Sequence, residues 1–303
     1  MLSYTKNISV LCLDELHPGG NKYYKLKYNI AAARQQGASL LLSFGGAWSN
    51  HIHALAKIGQ VEGFGTIGVI RGERPKALSP MLVEAESLGM RLHFISRQAY
   101  REKSEPDLLA TLSTRFGEFY VLPEGGTNEY AVQGAAEILE DLRKFQPDFD
   151  RIILPVATGG TMAGIARELA EGQSVTGISV LKGDVSKQLD LETRVAELIG
   201  ADKGSSRDQN WQIDHRFHCG GYAKCPPYLE SFILATEQEL GYLLEPVYSG
   251  KMMWAIAQMK AAAEISDNER IVAIHTGGLQ GRRGYPALVA AQTTPSQWRG
   301  THS

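Results

Sequence analysis

A lysine directly after a tight turn is the first residue in the chain with the potential for covalent chemistry. The turn is Pro18-Gly19-Gly20-Asn21, and the lysine is Lys22. Proline, glycine and asparagine form turns readily, and the residues that follow predict a helix with aromatic and basic side chains at its start. Lys22 therefore belongs to the first turn of a helix. Because most lysines are solvated surface residues, a chemical role for Lys22 depends on what the rest of the chain supplies.

Glycines and small polar residues follow the apolar segment 39–44, which predicts a buried parallel strand. Residues 43–51 read SFGGAWSNH. Ser49 or Asn50 would cap the next helix, and the N–H groups at the start of that helix could bind an anion such as a carboxylate. A capped helix without any ligand fits the same residues equally well.

A second strand-to-helix junction at 157–164 reads ATGGTMAG. It has neither the G-x-G-x-x-G spacing of a dinucleotide site nor the G-K-[ST] ending of a P-loop, so a nucleotide polyphosphate is not favoured. Backbone N–H groups at a helix start, with the hydroxyls of Thr158 and Thr161, suit a single phosphate monoester. A plain turn between strand and helix is the alternative for this motif alone.

Two further segments carry hydroxyl groups at predicted loop-to-helix boundaries. Residues 275–281 read HTGGLQG, and residues 245–251 read EPVYSGK. Each is weak alone, since Gly-Gly pairs are ordinary turn formers. Taken together, the chain offers one lysine, a cup for one phosphate and several hydroxyl donors. That combination fits a cofactor with one phosphate and an aldehyde able to form a Schiff base with an amine, namely pyridoxal phosphate.

The elements that must position these residues alternate between strands and helices along the whole chain. Such alternation predicts parallel sheets with right-handed crossovers. Two sets, joined by a connector at 146–150, predict an α/β fold of two domains whose mainly parallel sheets are flanked by helices. The polar stretch 202–210 predicts a mobile loop, and 293–303 predicts a loose C-terminal tail.

Composition excludes several classes of protein. The 303 residues carry 31 basic and 33 acidic side chains without a block of like charges, so neither nucleic acid nor an anionic membrane is expected as a partner. The N-terminus lacks an apolar signal region, and we expect a cytoplasmic protein. The three cysteines predict reduced thiols and no disulfide framework. Cys219 and Cys225 lie near two histidines, but their spacing matches no familiar zinc site, and no metal is expected.

In their order along the chain, these segments resemble the fold-type II pyridoxal-phosphate enzymes of the ACC deaminase and D-cysteine desulfhydrase family. The likeness spans roughly 8–290. Its motifs are GGNKxxKL at 19–26, SxGGxxSN at 43–50, TGGT at 158–161, PVYxGK at 246–251 and HTGG at 275–278. The resemblance implies a large cofactor-binding domain at 1–36 plus 146–303 and a small domain at 37–145, with the active site in the cleft between them. It also implies a homodimer.

The resemblance assigns a role to each candidate residue. Lys22 forms the Schiff base with the cofactor, Asn50 binds the cofactor's 3-hydroxyl group, and Ser49 holds the substrate carboxylate with backbone from Asn50 and His51. Tyr248 matches an active-site tyrosine of the family, and Tyr222 is a second candidate. The cofactor's phosphate and ring receive the remaining contacts, which come from Thr158, Gly159, Gly160, Thr161, Ser249 and Thr276.

Ser249 decides between the activities of the family. The corresponding residue contacts the pyridine nitrogen and is a glutamate in the deaminases and a threonine in the D-cysteine desulfhydrases. A hydroxyl cannot hold that nitrogen protonated as a carboxylate can, so the electron sink is weaker. We therefore expect β-elimination from D-cysteine or a related β-substituted amino acid, giving pyruvate, ammonia and a thiol or sulfide. Deamination of 1-aminocyclopropane-1-carboxylate is the first alternative.

Two other readings compete with a lyase. A nicotinamide-dependent oxidoreductase would need G-x-G-x-x-G and an acidic residue about twenty positions later, and this pattern is absent. A protein that binds the cofactor without catalysis is the second alternative. His51 stands where the deaminases of the family carry glutamine, and Trp48 is bulky for a substrate cleft. We therefore expect the pocket to differ from those of the deaminases and of the D-cysteine desulfhydrases.

Overall fold

The computed structural model describes residues 1–200 and 210–291. The predicted tail at 293–303 lies outside these residues, and so does the predicted loop at 202–210 except for Asn210. The strands are β1 (Leu2–Thr5), β2 (Ile8–Cys12), β3 (Leu40–Gly45), β4 (Gly65–Arg71), β5 (Met90–Ile95), β6 (Tyr120–Leu122), β7 (Arg151–Val156), β8 (Ser174–Ser179), β9 (Trp211–Asp214) and β10 (Ile271–His275). The helices are α1 (Leu13–Leu16), α2 (Asn21–Gln35), α3 (Asn50–Glu62), α4 (Pro80–Ser87), α5 (Arg97–Arg101), α6 (Pro106–Phe116), α7 (Glu129–Phe145), α8 (Gly160–Arg167), α9 (Val185–Ile199), α10 (Pro227–Leu240), α11 (Ser249–Ala261) and α12 (Pro286–Ala290).

The chain divides into two compact units. Unit 1 comprises 1–21 and 132–303, and unit 2 comprises 22–131. The chain thus passes between the units just before Lys22 and again near the start of α7. The predicted domains change at 36 and 145 instead, which would place α2 and most of α7 with the other domain. The predicted domain ranges, 1–36 plus 146–303 and 37–145, stay a prediction.

Unit 1 is built on a six-stranded sheet in the order β1-β2-β10-β7-β8-β9. All of its pairings are parallel except that of β1 with β2. One face is covered by α10 and α11, whose apolar side chains pack with those of the strands in a cluster that includes Ile153, Ile233 and Met252. The apolar runs of β7 and β10 are buried on both sides, as strands of a parallel sheet must be.

Unit 2 is built on a four-stranded parallel sheet in the order β5-β4-β3-β6. One cluster packs Leu41 and Ile70 of the sheet against Ile52 of α3, and a second packs Leu42 and Ile67 near Leu112 of α6. The α/β fold with mainly parallel sheets flanked by helices is therefore confirmed. Within each unit, candidate site residues occur where a strand ends and a helix begins.

The structure differs from the prediction at a few element boundaries. The strand β1 was not predicted, since it is a four-residue antiparallel edge strand joined to β2 by a tight turn. The helix predicted to carry Lys22 in its first turn is α2, and it begins at Asn21, the last residue of the predicted turn. The strand β9 ends at Asp214, where Arg216 folds back to donate to the Asp214 carboxylate.

The turn before Lys22 depends on glycine at position 20. Gly20 has φ +56°, and a Cβ built there would lie 2.3 Å from the backbone oxygen of Thr276. Only a residue without a side chain lets this turn approach the end of β10 so closely. Gly241, which ends α10, has a similar φ of +64°, but a Cβ there would meet nothing within 4 Å.

These two glycines provide a matched pair for substitution. We expect Gly241→Ala to lower the free energy of unfolding by about 1 kcal/mol, the penalty for a left-handed alanine. Gly20→Ala should lower it by about 1–3 kcal/mol more, because the backbone must shift to relieve the clash. Urea unfolding followed by circular dichroism measures both. Equal losses for the two variants would show that the approach to Thr276 is not tight.

Candidate active site

A cradle of backbone N–H groups lies at the end of β7 in unit 1. Gly159 has φ +83° and precedes α8 without any side-chain cap. A Cβ at Gly159 would lie 2.5 Å from Cγ2 of Val195, so the backbone conformation and the available space both require glycine. The first helical bond of α8 runs from the Ala163 N–H to the Gly159 carbonyl. The N–H groups of Gly160 and Thr161, ahead of this bond, have no acceptor within the helix and can bind an anion.

Asn21 joins this cradle to the end of β10. Its side-chain amide donates to Thr161 Oγ1 over 3.0 Å, and its backbone N–H donates to the carbonyl of Thr276 over 3.1 Å. Because Thr161 Oγ1 accepts this bond, its own proton is the one that it can donate to an anion. Sequence reasoning placed Asn21 in a turn and missed this contact. The available signal was its position immediately before Lys22.

Tyr222 and Tyr248 lie against each other in unit 1. Their hydroxyl oxygens are 3.4 Å apart, and their rings meet edge to face with centroids 6.1 Å apart. Tyr222 is 40% exposed. Two phenol groups within hydrogen-bonding reach of each other can orient a polar ligand or pass a proton.

Ser249 is the first residue of α11 and is fully buried. Its hydroxyl accepts from the backbone N–H of Glu245 over 2.8 Å and donates to the Glu245 carbonyl over 3.1 Å. In this geometry the proton of Ser249 is directed at the protein backbone. The contact of Ser249 with a pyridine nitrogen therefore stays a prediction. The side chain carries a neutral hydroxyl, whereas a glutamate at this position would carry a negative charge.

Two lysines stand one turn apart on α2 in unit 2. Lys22 is half-buried, whereas Lys25 is 2% exposed and donates to the Gly125 carbonyl over 2.5 Å and to Thr127 Oγ1 over 2.7 Å. Burial, together with the charge of Lys22, holds the pKa of the Lys25 ammonium well below its usual range. The buried amine thus holds the glycine-rich turn at 124–126, and Lys22 is the more accessible of the two.

Ser49 caps α3, as the sequence predicts. Its hydroxyl accepts from the Ile52 N–H over 3.3 Å, and Asn50 and His51 follow as the first residues of the helix. The same hydroxyl keeps a proton that it can donate. Ser49 and the N–H groups of the first turn can therefore bind a carboxylate, while the helix dipole favours its charge.

His51 is 2% exposed, and its tautomer follows from its neighbours. Ser43 Oγ donates its single proton to the Leu122 carbonyl over 2.8 Å, so it must accept from His51 Nε2 over 2.9 Å. Nε2 therefore carries the proton and Nδ1 a lone pair, for which no partner exists among the described residues. Burial and the nearby charges of Lys22 and Lys25 hold the pKa of His51 well below its ordinary value of 6.5.

Each unit thus positions its own share of the predicted residues. Unit 1 brings the cradle of α8 and the two tyrosines to strand ends and helix starts, and unit 2 does the same for Lys22 and the first turn of α3. In residues 1–200 and 210–291 no three His, Cys, Asp or Glu side chains cluster as metal ligands would. His215 contacts the Glu192 carboxylate instead. Within the same residues, none of the helices combines the length and the apolar character that crossing a membrane requires.

Comparison with known proteins gives a consistent result. A family model described as "Pyridoxal-phosphate dependent enzyme" matches residues 3–277. A bifunctional D-cysteine desulfhydrase/1-aminocyclopropane-1-carboxylate deaminase of Arabidopsis thaliana is 28% identical, over 86% of this chain and 69% of that protein. A D-cysteine desulfhydrase of Serratia proteamaculans is 27% identical, over 91% and 86% of the two chains. The crystal structure of an ACC deaminase homologue superposes with a TM-score of 0.78 at 25% identity, covering 94% of this chain and 88% of that one.

The tautomer of His51 can be tested directly. Because burial disfavours the imidazolium form, we expect His51 to stay neutral with its proton on Nε2 from pH 8 down to well below pH 6.5, its ordinary pKa. Nitrogen-15 NMR of histidine-labelled protein, assigned with a His51→Gln variant, measures this. Titration near the ordinary pKa, or a proton on Nδ1, would contradict the structure.

Proposed function

Because the chain belongs to the family of pyridoxal-phosphate-dependent enzymes, we propose that it is a lyase acting on small β-substituted amino acids, with D-cysteine as the first candidate. We place D-cysteine ahead of 1-aminocyclopropane-1-carboxylate because Ser249 has a neutral hydroxyl at the start of α11. Two relatives named for D-cysteine desulfhydrase activity support it. The reaction breaks the C–S bond and yields pyruvate, ammonia and sulfide.

The residues of the chain fit this cofactor. The cradle at α8 suits its single phosphate, because the helix start is uncapped, Gly159 leaves no room for a side chain and Thr161 Oγ1 can donate a proton. We assign the phosphate to Thr158, Gly159, Gly160 and Thr161, and the covalent attachment to Lys22. The remaining contacts fall to Asn50 at the 3-hydroxyl group, Ser249 at the pyridine nitrogen and Thr276. When bound, the cofactor withdraws electrons from the α-carbon of the amino acid.

The first turn of α3 binds the substrate in this proposal. Ser49 donates its hydroxyl proton to the carboxylate, and the N–H groups of Asn50 and His51 supply two further donors. The neutral imidazole of His51 adds no positive charge to the subsite.

Proton transfer is assigned to one amine and two phenols. The Lys22 Nζ, as an uncharged amine, removes the α-proton of the substrate and becomes an ammonium. The electrons of the broken C–H bond allow the β-thiolate to leave, and hydrolysis of the remaining enamine gives pyruvate and ammonia. Tyr248 and Tyr222 orient the substrate and hand a proton to the departing thiolate.

The alternatives follow from the same residues. Opening the ring of 1-aminocyclopropane-1-carboxylate requires a stronger electron sink, which a carboxylate beside the pyridine nitrogen would support and Ser249 does not. The Arabidopsis relative is named for both activities, so this substrate is the second candidate. We further propose a homodimer in the cytoplasm, in line with the family resemblance and with the composition of the chain.

A substrate panel tests the proposal. Purified protein loaded with pyridoxal phosphate should release sulfide, pyruvate and ammonia from D-cysteine at least about tenfold faster than it releases keto acid from 1-aminocyclopropane-1-carboxylate, equivalent to about 1.4 kcal/mol in the barrier. L-cysteine and the D- and L-forms of serine complete the panel.

The other outcomes of this panel are equally decisive. Faster release of keto acid from the cyclopropane substrate would select the deaminase instead. Retention of the cofactor without turnover of any amino acid in a broad D- and L-panel would support a non-catalytic binding protein.

A further inference from the structure

Lys251 is a fully buried lysine that the proposed reaction does not use. It is the third residue of α11, and its Nζ donates to the Gly221 carbonyl over 2.6 Å. Removing an ammonium from water is unfavourable unless its protons find good acceptors. Among residues 1–200 and 210–291, the hydrogen-bond acceptor of this buried amine is a backbone carbonyl in a loop, that of Gly221.

The loop at 219–223 is strained. Cys219 and Ala223 have φ values of 51° and 58°, in the left-handed region that L-residues with a Cβ disfavour. Gly220 and Gly221 between them have φ values of 92° and 112°. Such a run of positive φ angles persists only where the surrounding contacts enforce it. The residue that this loop presents is Tyr222.

The loop is fastened to the rest of unit 1 at two carbonyl groups. The Gly221 carbonyl accepts from Lys251 Nζ and also from the Lys224 N–H over 3.1 Å. The Tyr285 hydroxyl donates to the Ala223 carbonyl over 2.9 Å. Lys251 and Tyr285 thus hold the loop by hydrogen bonds on either side of Tyr222. Its ring meets that of Tyr248, which lies three residues before Lys251 in the chain.

A buried carboxylate holds the opposite tyrosine. Glu245 is 1% exposed, and its two oxygens accept from the N–H groups of Val247 and Tyr248 over 2.8 and 2.7 Å. Glu245 therefore fixes the backbone of Tyr248 as Lys251 fixes the loop of Tyr222. The two groups also attract each other, since the charge of each favours the charged form of the other.

Several titratable groups surround Lys251 and Glu245. Burial lowers the pKa of Lys251 to about 8, while Glu245, Cys219 and Cys225 oppose the shift. Burial also raises the pKa of Glu245 to about 7, against the effect of its backbone hydrogen bonds, Lys251 and Arg282. His218 and Tyr285 are the other titratable groups that these charges affect. Both groups would thus titrate near neutral pH.

We propose that Lys251 is a positioning residue that holds the strained 219–223 loop so that the Tyr222 hydroxyl meets the Tyr248 hydroxyl, with Glu245 fixing the second tyrosine. Lys251 touches neither substrate nor cofactor in this role. It acts through the Gly221 carbonyl. The catalytic part of the inference rests on the proposed function of the two tyrosines, whereas the part concerning the loop does not.

The conformation of the loop is tested by hydrogen exchange on the full-length holoenzyme. Lys251→Met keeps the length and the apolar stem of the side chain but removes its donor, and Lys251→Gln keeps an N–H donor without a charge. Lys260→Met on the exposed part of the same helix is the matched control. We expect amides in a peptide covering 219–224 to exchange about 10- to 100-fold faster in Lys251→Met, equivalent to one lost hydrogen bond to a charged group. Lys251→Gln should restore much of the protection.

A double-mutant cycle tests the link to Tyr222. Lys251→Met should lower kcat/KM for the best substrate about 10- to 100-fold. In a Tyr222→Phe background the same change should have little further effect, because the hydroxyl that Lys251 positions is already absent. Lys260→Met should leave kcat and KM at their wild-type values.

The outcomes separate this inference from the proposed reaction. Wild-type protection of the loop in Lys251→Met, or better protection in Lys251→Met than in Lys251→Gln, would overturn it and show that Lys251 only fills space. Independent losses from the two substitutions would also overturn the coupling to Tyr222. If no amino acid is turned over, the hydrogen-exchange comparison still decides the role of Lys251. Should Lys251→Met fail to fold, the comparison of Lys251→Gln with the wild type must show faster exchange confined to the loop.

Discussion

The double contact of Asn21 is the constraint on which the candidate site of unit 1 depends. One residue donates from its backbone to the end of β10 and from its side chain to Thr161 at the start of α8. The turn before it can approach so closely only because Gly20 has no side chain. Since Lys22 is the next residue in the chain, the proposed anchor of the cofactor directly follows a residue that is held by the end of β10 and the start of α8. A short and otherwise ordinary turn thereby gains a defined position.

Buried amines that reach backbone carbonyls are a second common feature. Lys25 holds the turn at 124–126 in unit 2, and Lys251 holds the loop at 219–223 in unit 1. Both turns contain glycines with positive φ. A long side chain with an amine donor can reach such a turn from a neighbouring helix. These bonds offset the cost of burying each amine, and they hold the turn at 124–126 and the loop that carries Tyr222.

Much of the fold could be predicted from the sequence, because apolar runs bounded by glycine have few alternatives in an α/β protein. The strand predicted at 39–44 is β3, and the strand-to-helix junction predicted at 157–164 lies between the end of β7 and the first residues of α8. The edge strand β1 was missed, since four residues carry too little periodicity.

The site was predictable in its residue types but not in its hydrogen bonds. The roles of Asn21 and Lys251 arise from contacts across long stretches of sequence. Asn21 and Thr161 are 140 residues apart, and Lys251 and Gly221 are 30 residues apart. The engagement of Ser249 with the Glu245 backbone depends on the turn that begins α11. Local sequence patterns identify residues that can donate or accept hydrogen bonds. The partner of each residue is set only by the folded chain.

Mapping of the modified lysine shows whether Lys22 is the covalent anchor of pyridoxal phosphate. Protein incubated with the cofactor is reduced with borohydride, digested and examined by mass spectrometry. We expect one modified residue, Lys22, in the wild type and in a Lys27→Ala control on the exposed face of α2, and its loss in Lys22→Ala. Stoichiometric modification of Lys25 or another lysine in the wild type, or undiminished binding in Lys22→Ala, would contradict it.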